Sequence, residues 1–136
     1  MNISQFAERV KRDIEAKIRT LKAMDGITLS VGIDPTAKYP DGKSVAEVAD
    51  FVEYGTRYMP PRPFMRAAKE ERGAAWRGML RRAVEKSVKT GQPLEPLLEP
   101  IAEKMKSDVQ ESIMGFAAYR TGRLHDSVVA KVTTGG

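Results

Sequence analysis

Three prolines within four positions constrain this chain more than any other feature. They lie in residues 53–68, EYGTRYMPPRPFMRAA, at Pro60, Pro61 and Pro63. Each proline fixes its own φ near about −65° and drives the residue before it out of the helical region. Residues 59–62 are therefore expected to be extended and stiff. Pro63 suits the first turn of a helix, where the N–H it lacks would be unpaired anyway. Upstream, Gly55 can take positive φ and end the preceding segment. The expected product is a rigid elbow between a short helix and a long one, with Tyr54, Tyr58, Met59 and Phe64 packed around it.

The short helix is expected over residues 45–54. Ser44 is its N-cap and Glu47, three residues on, fits a capping box; Val45, Val48, Ala49, Phe51 and Val52 are its inward face. The long helix is expected over residues 63–90, roughly 40 Å at the helical rise. Phe64, Ala68, Trp76, Leu80, Val84 and Val88 form its apolar stripe, widened by Met65, Met79 and Ala83. Gly73 and Gly78, near Ala74 and Ala75, suggest close helix packing there, with a bend as the other reading. Gly91 ends this helix. Leu94, Leu97, Leu98, Ile101, Met105, Val109 and Ile113 mark another. Its regular part is expected to start near Pro100, because a helix already including Pro96 would lose a backbone hydrogen bond at Pro100.

Before the elbow, Phe6, Val10, Ile14, Ile18 and Leu21 recur at helical spacing, capped by Asn2 or Ser4 and ended by Asp25-Gly26. Residues 27–34, ITLSVGID, alternate with period two and predict a half-buried strand, with Gly32 marking a bulge or a close backbone approach. A second strand is expected in the tail, with Leu124, Asp126, Val128, Ala130 and Val132 on one face and residues 133–136 frayed. The fold class is α+β: one domain over residues 1–136, with a small β-sheet flanked by helices, one of them the long helix after the Pro-rich elbow.

Charge is segregated. Residues 62–89 hold nine basic side chains against three acidic, whereas residues 94–116 hold five acidic against two basic; the whole chain carries +5. The plain reading is two neighbouring helices with complementary faces. The sharper ones are an acidic protein partner or DNA phosphates. No apolar run is long enough for a transmembrane helix, and the N-terminal residues lack the apolar core of a signal peptide. Without cysteine there is no thiolate metal site or thiol nucleophile, and the composition fits a reducing cytoplasm. No phosphate-binding glycine loop is present. His125, the one histidine, stands beside Asp126 and Ser127. In a strand the carboxylate would point away from the imidazole, so a catalytic triad is not expected. No metal site, cofactor or enzyme activity is expected.

The order of these segments resembles a neck or minor tail family of tailed bacteriophages and prophages, comprising head–tail joining and tail-completion proteins. The most specific match is Glu53-Tyr54-Gly55-Thr56 followed, after Tyr58 and Met59, by Pro60-Pro61-Arg62-Pro63-Phe64. A second motif is Thr121-Gly122-Arg123-Leu124. Many relatives carry a longer Pro- and Lys-containing loop before the second motif; here residues 114–120 are short. The resemblance implies a non-enzymatic virion subunit, assembled in the host bacterial cytoplasm. It also implies a ring of copies formed on assembly, the free chain being allowed as a monomer. Its partners would be the tail tube or tail terminator and the head connector, with DNA nearby and no membrane. The alternative is a basic DNA-binding accessory protein.

Overall fold

The computed structural model describes residues 2–116 and 121–134. Helix α1 (Ile3–Ala23) leads into strand β1 (Ile27–Ile33), followed by α2 (Val45–Tyr54), α3 (Phe64–Thr90), α4 (Leu94–Gly115), α5 (Thr121–Asp126) and strand β2 (Val128–Thr134). The class is α+β. The two strands pair antiparallel in one unbroken register, from Ile27 opposite Thr134 to Ile33 opposite Val128. Gly32 sits within that register facing Val129, with open space where a Cβ would be, so it is neither a bulge nor a close approach. The sheet extends to Thr134, because Thr133 and Thr134 pair with Thr28 and Ile27. The fraying expected at 133 and 134 is thus corrected; 135 and 136 lie outside the described residues.

Helix α4 is the spine. It packs along α3 and against both strands. Its apolar stripe, Leu94, Leu98, Ile101, Met105, Val109 and Ile113, is buried along its whole length. Burial of each such side chain is worth about 1.5–3 kcal/mol. That gain explains why α4 begins at Leu94 and not near Pro100. Pro93 is the N-cap, and Pro96 falls in the first turn, where N–H groups have no helical partner. Pro100 removes one hydrogen bond, and burial of Leu94 and Leu98 outweighs it.

The core has two lobes. At one, α2 and the start of α3 meet the end of α4, through Val45, Val52, Phe64, Ala68, Val109 and Ile113, with Leu124 and Val128. At the other, Ala83 meets the start of α4 with Ile27, Leu29 and Val132 against them. Trp76 lies against both lobes. Its indole N–H donates to Asp108 Oδ2 at 2.8 Å, and Lys104 Nζ donates to Oδ1 at 2.9 Å. Burial works to raise the Asp108 pKa. The hydrogen bonds from Trp76 and Lys104, with the charges of Lys104 and Arg72, outweigh it and hold the carboxyl below its ordinary value.

Three further expectations are corrected. Phe51 is largely exposed, because the inward face of α2 is Val45, Ala49, Val52 and, at its last turn, Glu53. Gly73 and Gly78 make no close packing with another helix. The nearest atoms to an added Cβ belong to Arg77 and Arg82 of the same helix, and α3 runs continuously through both. The tail strand starts only at Val128. Leu124 and Asp126 lie in the short α5, which turns the chain so that Leu124 enters the core.

Candidate functional site

The elbow is built from the backbone outward. Gly55 takes φ +76°, and its N–H donates to the Phe51 carbonyl at 2.8 Å. A Cβ there would lie 2.7 Å from Pro61 N and 2.9 Å from Met59 O, so only glycine fits. Thr56 and Met59 bond each other's backbone in a tight turn that projects Arg57 and Tyr58. Arg62 N–H donates to the Val52 carbonyl at 2.7 Å, which pins the extended proline segment to α2.

Glu53 locks the elbow. Pro63 is the N-cap of α3 and offers no side-chain cap, so the N–H groups of Met65 and Arg66 need an acceptor from elsewhere. Glu53, at the end of α2, supplies both: Oε2 accepts from Met65 N and Oε1 from Arg66 N, each at 2.9 Å. A buried carboxylate also suits the positive end of the helix dipole. Arg66 closes the arrangement. Its Nε donates to Glu53 Oε1 at 3.1 Å, its Nη2 to the Glu53 carbonyl at 2.6 Å, and its guanidinium lies 4.7 Å from the centre of the Tyr54 ring. From below, Ser112 of α4 donates to the Phe64 carbonyl at 2.6 Å.

The motif residues therefore divide by role. Glu53, Gly55, Pro61 and Phe64 hold the shape; Met59 is partly buried against the core. Tyr54 and Tyr58 are not packed around the elbow as expected. They are 64% and 86% exposed, because the turn and the Arg66 contact hold their rings outside. Thr56 and Pro60 are exposed, and Arg62 and Pro63 half-buried. The outer surface is thus Tyr54, Arg57 and Tyr58, with the Arg57 guanidinium 5.3 Å from the Tyr58 ring centre. Tyrosine and arginine on a rigid support are the residue types that dominate protein–protein hot spots.

The second motif joins the first through the core. Leu124 shares a lobe with Phe64, while Gly122 and Arg123 are exposed beside Tyr39, Pro40 and Asp41. The side chain of Thr121 and residues 117–120 of the short loop lie outside the described residues. His125 and its neighbours are helical and not extended, and its Nδ1 lies 3.0 Å from Asp126 Oδ1. The Ser127 hydroxyl is buried and donates to the Arg123 carbonyl at 2.6 Å.

Sequence reasoning missed Arg66, Ser112 and the Trp76–Asp108 pair. Only Asp108 left a signal: an aspartate one position from Val109, on the buried side of α4. The complementary charges of α3 and α4 meet in one described ion pair, Arg72–Glu111 at 3.9 Å and exposed. Such a pair contributes little. Comparison with known protein families, with curated proteins and with solved structures finds no match to this chain.

Proposed function

We propose that the chain is a non-enzymatic structural subunit of a phage or prophage neck or tail-end ring, joining tail to head or completing the tail. The observation that carries the reading is the elbow. The residues shared with that family motif include a rigid lock, Glu53, Gly55, Pro61 and Phe64, with Glu53 and Phe64 buried, beside an exposed Tyr54–Tyr58 surface. Such a surface suits docking against a neighbouring subunit, the tail tube or tail terminator, or the head connector. The subunit would act in the virion after assembly in the host cytoplasm. Electron microscopy of particles lacking the gene tests this. Separate heads and tails, or tails of abnormal length, are expected; normal infectious particles would refute it. Within that assay, Arg62→Ala combined with Tyr58→Ala should leave the purified chain folded and reduce joined particles. Full joining by the variant would remove the elbow from the contact.

The DNA-binding reading draws on a separate observation. Arg77, Arg81, Arg82, Lys86 and Lys89 of α3 are exposed, and none forms an ion pair with a described acid. A phosphate-binding role for this face requires affinity for duplex DNA that falls steeply between about 50 and 200 mM salt. Absence of binding at low salt would eliminate it.

A further inference from the structure

Helix α1 has 21 residues and buries none of them. Its large apolar side chains all stay exposed: Ile3 is 88% exposed, Phe6 58%, and Val10, Ile14, Ile18 and Leu21 between 39% and 52%. Six large side chains so exposed make a patch on the order of 600 Å², the top of the range a monomer leaves bare. It approaches the roughly 800 Å² that one partner contributes to a standard interface.

The spacing of the patch identifies its occupant. Positions 3, 6, 10, 14, 18 and 21 are separated by 3, 4, 4, 4 and 3 residues, the same read in either direction. The mean step of 3.6 residues equals the helical repeat, so the stripe runs straight along one side. A second α1 laid antiparallel sets Ile3 against Leu21, Phe6 against Ile18 and Val10 against Ile14, with every apolar residue matched. Lys11 and Glu15 share one flank of the stripe, and Arg9 and Asp13 the other. A two-fold axis keeps like flanks together. It brings Lys11 near both Lys11 and Glu15 of the second copy, and Asp13 near both Asp13 and Arg9 of the second copy, so each flank holds one like pair and two opposite pairs. At its base the stripe continues into the body: Ile18 and Leu21 line an open apolar cavity of about 630 Å³ with Ile27, Leu29, Leu80 and Val84. Antiparallel pairing delivers Ile3 and Phe6 of the second copy to its mouth.

We propose that α1 is a dimerisation element, pairing antiparallel with α1 of a second copy of this chain. The contact is isologous and uses a surface other than the elbow, so it stands whether or not the ring reading does. Helix α1 carries six basic side chains against three acidic ones, so an anionic membrane is the competing occupant, and the vesicle outcome below tests it.

Sedimentation of the full chain at about 100 μM should give twice the 15.1 kDa mass of one chain. Phe6→Asp with Ile14→Asp should return it to the mass of one chain, with the thermal melt of the body unchanged because neither residue touches the core. Register is read separately. The chain has no cysteine, so Val10→Cys and Ile14→Cys chains, mixed under reducing conditions and then oxidised, report only on α1. The mixed disulfide, joining position 10 of one chain to position 14 of the other, should dominate over both symmetric ones. Three results would overturn the proposal. One is a parent chain that remains single, including one that instead floats with anionic vesicles. Another is an oligomer that persists in the double aspartate variant. The third is a predominance of the symmetric disulfides, which would mean parallel pairing.

Discussion

Glu53→Ala should destabilise the chain by about 2–4 kcal/mol, through lost hydrogen bonds and not through lost apolar burial. Its side chain is 7% exposed, and its oxygens serve two backbone N–H groups of the first turn of α3. Loss of a single helix cap costs about 1 kcal/mol. A hydrogen bond to a charged group is worth about 1.5–3 kcal/mol, and a buried donor left without an acceptor loses about 1–3 kcal/mol. Two donors orphaned together give the stated range. The ion pair to Arg66 adds little, because the Arg66 side chain is half exposed. Glu53→Gln keeps one acceptor oxygen but turns an NH₂ group toward the other N–H, so it should lose about half as much. Arg66→Ala, which leaves both caps in place, should cost about 1 kcal/mol. Urea unfolding followed by circular dichroism measures all three, provided the slope against denaturant matches the parent. An alanine variant within about 0.5 kcal/mol of the parent, or a glutamine variant as unstable as alanine, would refute the capping role.

Other substitutions test neighbouring conclusions. Gly55→Ala should cost at least about 2 kcal/mol, since it joins a positive φ to a clash with the Met59 and Pro61 backbone; a stability loss below about 1 kcal/mol in the same urea assay would argue against the tight turn. Gly78→Ala should stabilise by about 0.5–1 kcal/mol, because a Cβ there meets only the end of the Arg82 side chain at 3.5 Å. A lower melting temperature for that variant would mean that position 78 is packed. Asp108 has a lowered native pKa, so its ionisation favours the folded state. That contribution is complete above the ordinary value of 3.8 and is lost as pH falls through the lower native value. The stability of Asp108→Asn should therefore be lower near neutral pH and fall less steeply below about pH 4; parallel acid limbs for variant and parent would contradict this.

Local signals were legible because their physics is local. Asn2 caps α1 through Gln5, Ser44 caps α2 through Glu47, and Gly26, Gly55 and Gly91 take positive φ at the ends of their segments. Each depends on residues within about one turn, as do the period of β1 and the stiffness of the proline segment. The start of α4 was misread because a local rule about proline competes with burial of Leu94 and Leu98, and burial depends on where α3 and the strands lie. The roles within the elbow motif were legible only in part. Sequence marked Glu53 as belonging to the motif, but its carboxylate reaches N–H groups 12 and 13 residues away, a distance set by the fold of the elbow.

The amino-acid order alone determined most of the inventory of the chain: its helices and strands other than α5, the stiffness of the elbow, the straight apolar stripe of α1 and the separation of charge. Tertiary structure alone decided which stripes are covered. Those of α4 and α2 are covered in the shared core, whereas that of α1 stays largely open, and the rings of Tyr54 and Tyr58 stay outside the core against the guanidiniums of Arg66 and Arg57. The reason is geometric. Periodicity specifies that a face is apolar, but only the placement of the other elements specifies whether anything lies against it.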